Sequence, residues 1–131
     1  MVKKNKLPPF KEIKIKFVND KRGSICILNH KIHYFFTIKR IYFFLNRKDN
    51  TIRGFHSQKT NHSIFVPTMG KFRIKLIHKN KVYDKIISAN SKKAIYIGPG
   101  VWREINTINK KFSCFVINSN YYDKKDYNFK K

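Results

Sequence analysis

Side chains able to do acid–base work are few in this chain: five histidines and seven carboxylic acids among 131 residues, against 30 lysines and arginines. His30, His33, His62 and His78 stand at spacings that fit no catalytic pattern. His56 follows Arg53-Gly54-Phe55 and precedes Ser57-Gln58. An imidazole titrates near neutrality, so one well-placed ring can take a proton and give it back. Arginine is scarce, six residues against 24 lysines, and Arg22, Arg40 and Arg53 make up half of it. A planar guanidinium grips a diphosphate with two parallel hydrogen bonds where an ammonium offers a point charge. These three are therefore candidate diphosphate binders, or else structural ion-pair partners. Trp102, just after Gly98-Pro99-Gly100-Val101, is either a stacking surface for a sugar or base or a core residue.

These residues need a scaffold, and the hydrophobic periodicity makes it of strands. From Lys71 the chain alternates, with Phe72, Ile74 and Leu76 on one face and Lys71, Arg73 and Lys75 on the other. Ile13, Ile15 and Phe17 alternate with lysines in the same way. The segments 25–28, 38–45, 64–66, 81–87, 94–97 and 112–117 give six more short strands, and no stretch carries a helical period. Turn residues separate them, as at Asn19-Asp20-Lys21-Arg22-Gly23, Met69-Gly70 and Gly98-Pro99-Gly100. Many short strands at this spacing predict an all-β antiparallel barrel or jelly roll with little or no helix. We expect one domain over 1–131, with the first ten and last four residues frayed or ordered only by a partner subunit.

The formal net charge of +23 raises the question of a polyanionic partner. The lysines are spread along the whole chain, with no arginine-rich stripe and no run of aromatics spaced for base stacking. Nucleic acid is therefore not expected, although the charge should draw small diphosphate ligands. No apolar run approaches the roughly 20 residues of a membrane span, and the basic N-terminus leads into Leu7-Pro8-Pro9-Phe10 instead of a signal-peptide core. Cys26 and Cys114 lie in apolar runs and read as free thiols, which suits a reduced, cytoplasmic protein.

Five pieces occur in an order and spacing that resemble the bacterial 3,4-ketoisomerases of nucleotide-linked 4-keto-6-deoxysugars, a WxcM-like branch of the cupins. They are Asp20-Lys21-Arg22-Gly23-Ser24, Ile38-Lys39-Arg40-Ile41-Tyr42, Arg53-Gly54-Phe55-His56, Gly98-Pro99-Gly100-Val101-Trp102, and Tyr121-Tyr122-Asp123-Lys124-Lys125-Asp126-Tyr127. The resemblance implies a cupin jelly roll and a homodimer that exchanges an N-terminal strand. Its substrate would be dTDP-4-keto-6-deoxyglucose, with the keto group moved from C4 to C3 for a 3-amino-3,6-dideoxysugar of surface glycans. The tail from Tyr121 to Tyr127 would close the barrel end in a structural role.

The chain also departs from that family's pattern. His56-Ser57-Gln58 replaces His-x-His, Arg103 replaces a histidine after the Gly-Pro-x-Val-Trp run, and Ser63 stands where a glutamine is usual. His56, Gln58, Ser63 and Arg103 offer one good metal ligand, so neither metal nor cofactor is expected. His56 becomes the candidate acid and base. Arg103, Gln58 and Tyr42 become candidates for stabilising an enediolate, with a surface ion pair to Glu104 the other reading of Arg103. Loss of the second histidine leaves open a non-catalytic cupin that binds a nucleotide sugar without turnover.

Overall fold

Phe72, Ile74 and Leu76 are fully buried while Lys71 and Arg73 face water, because successive side chains leave a pleated strand on opposite faces. The computed structural model describes residues 7–131, which form twelve strands. They are β1 (Phe10–Lys14), β2 (Lys16–Asp20), β3 (Gly23–Ile27), β4 (Arg40–Phe43), β5 (Thr51–Gln58) and β6 (Ser63–Met69). The second half adds β7 (Lys71–His78), β8 (Lys81–Ser88), β9 (Lys93–Ile97), β10 (Trp102–Thr107), β11 (Ser113–Asn118) and β12 (Tyr127–Asn128). Among the described residues the helical content is two single 3₁₀ turns, Ala89–Ser91 and Lys124–Asp126.

Two five-stranded antiparallel sheets result, in the orders β1-β9-β6-β11-β4 and β12-β5-β10-β7-β8, with β2 and β3 forming a separate hairpin. Apart from the β7–β8 hairpin, neighbours in each sheet are far apart in sequence, as expected for a jelly roll. Between the sheets lies a core of Phe65, Ile95, Ile97, Cys114 and Val116 from the first and Phe72, Ile74, Leu76, Ile87 and Ile105 from the second. Each such side chain contributes about 1.5–3 kcal/mol on leaving water. A second apolar layer, with Ile13, Ile15, Ile64, Val66, Ala94, Tyr96 and Ile117 at its centre, covers the outer face of the first sheet.

The all-β expectation agrees with this architecture. Residues 1–6, part of the segment expected to fray or exchange, lie outside the described residues. Phe10 opens β1, which pairs with β9 of the same chain, and its ring packs edge-on against Tyr83 at 5.8 Å. The last four residues are held where fraying was expected. Asn128 pairs with Ser57 in β5, the Phe129 ring lies 6.2 Å from that of His56, and Lys131 Nζ meets Glu104 Oε2 at 3.4 Å.

Candidate active site

The site begins with a fault in β5. Regular alternation from Arg53 would turn Phe55 and Ser57 inward and His56 outward. Gly54 and Phe55 instead adopt left-handed backbone angles, φ 93° and 59°, and pairing with β10 slips there: Arg103 faces His56 and Glu104 faces Gly54. This is a β-bulge, which adds one residue to a strand and re-aims the side chains beyond it. Phe55 is turned out, 48% exposed, and Arg53, His56 and Gln58 all face the space between the sheets. The glycine is required because β10 comes so close: a Cβ at position 54 would sit 2.7 Å from the Arg103 carbonyl oxygen.

Three further strands contribute. In β10, Arg103 is only 2% exposed and faces inward beside His56. In β4 the alternation turns Ile41 and Phe43 to solvent and Arg40 and Tyr42 inward, with the Arg40 guanidinium 5.7 Å from the Tyr42 ring. The Arg53 guanidinium lies 5.2 Å over the Phe44 ring. The tail places Tyr122 5.8 Å from the Arg40 guanidinium and the Tyr127 ring 4.6 Å from that of His56.

The electrostatics are those of a cationic bore. Arg40 Nε, Arg53 Nε, and both Nε and Nη2 of Arg103 are buried without a protein partner. Each buried unmet donor costs about 1–3 kcal/mol, more when charged, so these atoms suit a bound anion. Burial pushes the Arg103 guanidinium down to about 10, which still leaves it charged at neutral pH. The same burial, only partly offset by Arg103, raises the Tyr42 phenol to about 12, so it stays protonated and able to donate. His56 lies below its ordinary value because of burial first and the Arg103 charge second. It is thus neutral at pH 7. Its Nδ1 lies 3.1 Å from the Gly54 carbonyl, which assigns the proton to Nδ1 and leaves Nε2 as the basic nitrogen.

Gln58 is held by a buried amide network. Its Oε1 accepts from Asn61 Nδ2 at 2.9 Å, and Asn61 also donates to Ser63 and Asn118. With its oxygen committed, Gln58 has only its NH₂ to offer a ligand. Backbone bonds from Gly100 N to Gln58 O, 2.8 Å, and from Lys59 N to Asp126 O, 2.8 Å, tie the 98–100 turn and the tail to this end of β5.

Of the residues singled out in the sequence, the structure brings together His56, Tyr42, Gln58, Arg103, Arg40 and Arg53. It does not bring Arg22 or Trp102. Arg22 sits at the tip of the β2–β3 hairpin, its side chain 89% exposed and paired to Asp20 at 2.7 Å. Trp102 leaves β10 on the face opposite Arg103 and donates its indole N–H to Glu104 Oε2 at 2.9 Å, so the stacking role expected for it has no place in this bore. The alternative ion pair of Arg103 with Glu104 is likewise absent, since adjacent strand residues point apart. Sequence reasoning missed Tyr122 and Tyr127, assigned only a structural part. Their pairing with Arg40 and His56 is long-range and leaves no local signal. Among the described residues, no three His, Cys, Asp or Glu side chains group as a metal site.

Fold and site together define a cupin-like jelly roll with a basic, histidine-bearing bore. Comparison with known proteins narrows this: the chain belongs to the FdtA family, described as WxcM-like, C-terminal, whose family model matches residues 9–130. The TDP-4-oxo-6-deoxy-alpha-D-glucose-3,4-oxoisomerase of Aneurinibacillus thermoaerophilus is 31% identical over 126 residues, 92% of this chain and 90% of that protein. QdtA, a sugar 3,4-ketoisomerase from Thermoanaerobacterium thermosaccharolyticum solved with TDP, superposes with TM-score 0.85 at 30% identity, over 95% of this chain and 90% of its own. WlaRA, the TDP-fucose-3,4-ketoisomerase of Campylobacter jejuni, gives TM-score 0.82 at 26% identity, over 92% and 89%.

Proposed function

We propose that this chain is a sugar 3,4-ketoisomerase that moves the keto group of a dTDP-4-keto-6-deoxyhexose from C4 to C3, supplying a 3-keto sugar for amination and use in surface glycans. One observation carries the reading: a neutral imidazole faces a buried, unpaired guanidinium inside a bore whose other cations are arginines. His56 Nε2 takes the proton from C3. The electrons of that C–H bond form the C3=C4 double bond, and the carbonyl pair moves onto O4 to give an enediolate. The O3 proton then leaves as C3=O forms, C4 takes a proton back from the imidazolium, and O4 ends as a hydroxyl. One hydrogen passes from C3 to C4 and one from O3 to O4, so no redox partner is needed.

The enediolate is an anion in a water-poor cavity, where a fixed charge acts strongly. Arg103 supplies that charge without giving up a proton. The Tyr42 hydroxyl and the Gln58 NH₂ donate to the sugar oxygens, and Arg40 and Arg53 take the diphosphate. The relatives named above are named as TDP-sugar 3,4-isomerases or were solved with TDP, which supports a thymidine diphosphate sugar here.

The test is incubation with dTDP-4-keto-6-deoxyglucose in deuterated water, following C3 by NMR. Exchange that vanishes in His56→Asn is the expected result. Binding with no exchange in the unaltered protein would instead make the chain a nucleotide-sugar-binding cupin, the outcome that Gln58 in place of a second histidine makes worth distinguishing.

We also infer a homodimer. Ile41, Phe43 and Leu45, 59%, 64% and 75% exposed, form a bare apolar row along and just beyond β4, an edge strand of its sheet. A groove of about 490 Å³, lined by Phe17, Leu28, Tyr34, Val66, Phe115 and Ile117, continues the apolar surface beside the β2–β3 hairpin. A contiguous apolar surface of this kind marks an interaction site. A second copy exchanging its N-terminal segment would cover it, and sedimentation at micromolar concentration should give twice the mass of 15.7 kDa.

A further inference from the structure

The tail crosses the mouth of the bore on a defined track. Asp126 Oδ1 accepts from both the backbone N and the hydroxyl of Thr60, at 2.9 and 2.7 Å, and Asp126 O accepts from Lys59 N at 2.8 Å. This clasp fixes the next residue, Tyr127, opposite Gln58 in the β12–β5 pairing. The Tyr127 ring then lies 4.6 Å from the His56 imidazole with planes tilted 38°. Behind it, Phe129 stacks on Tyr127 at 6.1 Å and Tyr122 leans in at 6.0 Å. The imidazole is thus held on one side by its own strand, through the Gly54 carbonyl, and on another by an aromatic wall brought from the far end of the chain.

We propose that Tyr127 is a positioning residue: its ring, seated by the Asp126–Thr60 clasp, orients the His56 imidazole and shuts water from one side of it. The proposal rests on the ketoisomerase reading for its kinetic consequence but not for its geometry. A ring locked at Nδ1 by one hydrogen bond can still rock about that bond, and the Tyr127 wall removes this freedom. Misplacing an acid–base group by about 1 Å costs up to roughly 100-fold in rate, so the wall matters to turnover more than to substrate affinity. The ring carries the effect, since among the described residues the Tyr127 hydroxyl makes no hydrogen bond. Around His56 the facing groups are Arg103 from β10, the only charge among them, Tyr127 and Phe129 from the tail, and the Gly54 carbonyl within β5.

The test compares Tyr127→Phe with Tyr127→Leu by NMR titration of the His56 ring and by C3 exchange kinetics. Burial is the main cause holding His56 below its ordinary value. Opening the wall in Tyr127→Leu should move the midpoint up and lower kcat about tenfold, with KM changed less than about threefold. Tyr127→Phe should match the unaltered protein in both. An unmoved midpoint in a folded Tyr127→Leu overturns the proposal, as does a loss in Tyr127→Phe equal to that in Tyr127→Leu, which would assign the work to the phenol. Should Tyr127→Leu fail to fold, Thr60→Val removes one clasp bond and leaves every residue touching His56 in place. A smaller upward shift is then expected, and none overturns the proposal. If the unaltered protein shows no C3 exchange, the ketoisomerase reading fails, while the titration still decides whether the tail seats the ring.

Discussion

Replacing Gly54 by alanine is the sharpest test of how the histidine is aimed. The added methyl would sit 2.7 Å from the Arg103 carbonyl oxygen and 3.3 Å from its carbonyl carbon, about 0.7 Å inside ordinary contact for carbon and oxygen. Both atoms are backbone, so no side chain can swing away, and the two strands must part. The backbone at position 54 also sits at φ 93°, where a side chain costs on the order of 1–2 kcal/mol. Forced overpacking adds about 1–3 kcal/mol. Together these remove roughly 2–5 kcal/mol from a domain whose whole stability is about 5–15 kcal/mol. At about 4 °C of Tm per kcal/mol for a chain of this size, Gly54→Ala should melt roughly 8–20 °C lower. The separation also pulls Arg103 from His56, so C3 exchange should fall by about 100-fold even where the variant is fully folded. Thermal melting followed by circular dichroism, with exchange measured well below the melting range, reads both quantities. A variant with unchanged Tm and unchanged exchange would refute the claim that the bulge aims the ring.

Arg103→Met should lower the exchange rate about 10²–10³-fold, the usual cost of losing a fixed oxyanion partner. It should also shift the acid limb of the pH profile to higher pH, because the Arg103 charge helps hold His56 below its ordinary value. The variant should melt no lower than the parent, since an unpaired buried charge is exchanged for an apolar chain of similar length. In the parent, kcat/KM should fall on the acid side with a midpoint below 6.5, the ordinary imidazole value. At the other end of the molecule, a hydrogen bond from Tyr83 and the ammonium groups of Lys93 and Lys85 hold Glu12 down to about 2 from 4.5. Stability from that carboxylate is complete above pH 4.5 and drains away as the pH falls towards 2. Glu12→Gln should therefore unfold less steeply than the parent across that interval in acid titrations.

Most strands that fill the core were legible, as was β4 with Arg40 and Tyr42, but β5 and β10 were not. Lys71–His78 declares itself because water lies on one side and packed hydrocarbon on the other. β5 turns Arg53, His56 and Gln58 inward and leaves Ile52 and Phe55 exposed, which inverts the usual pattern, and β10 buries Arg103 on the same face as Ile105. A reader of alternation, who assigns polar residues to solvent, passes over both. The bulge hides β5 further by shifting the phase midway. The members of the cluster were still found, because a resemblance in local motifs reports residue types independently of which face they occupy. Arg22 and Trp102, each read either as a ligand contact or as a structural residue, lie away from the bore: belonging to a motif says nothing about direction, and Trp102 adjoins Arg103 in sequence yet points the opposite way. The Tyr127 contact joins segments about 70 residues apart, and only the folded chain reveals it.

The left-handed pair at Gly54 and Phe55 behaves as a counter. Deleting the Gly54 codon would leave Arg53 and His56 two positions apart, so both would stay on the inward face in unbroken alternation while the ladders on either side stayed in step. The pair therefore tallies the one residue too many between two side chains that share a face, and the strand carries that residue without turning either of them to water.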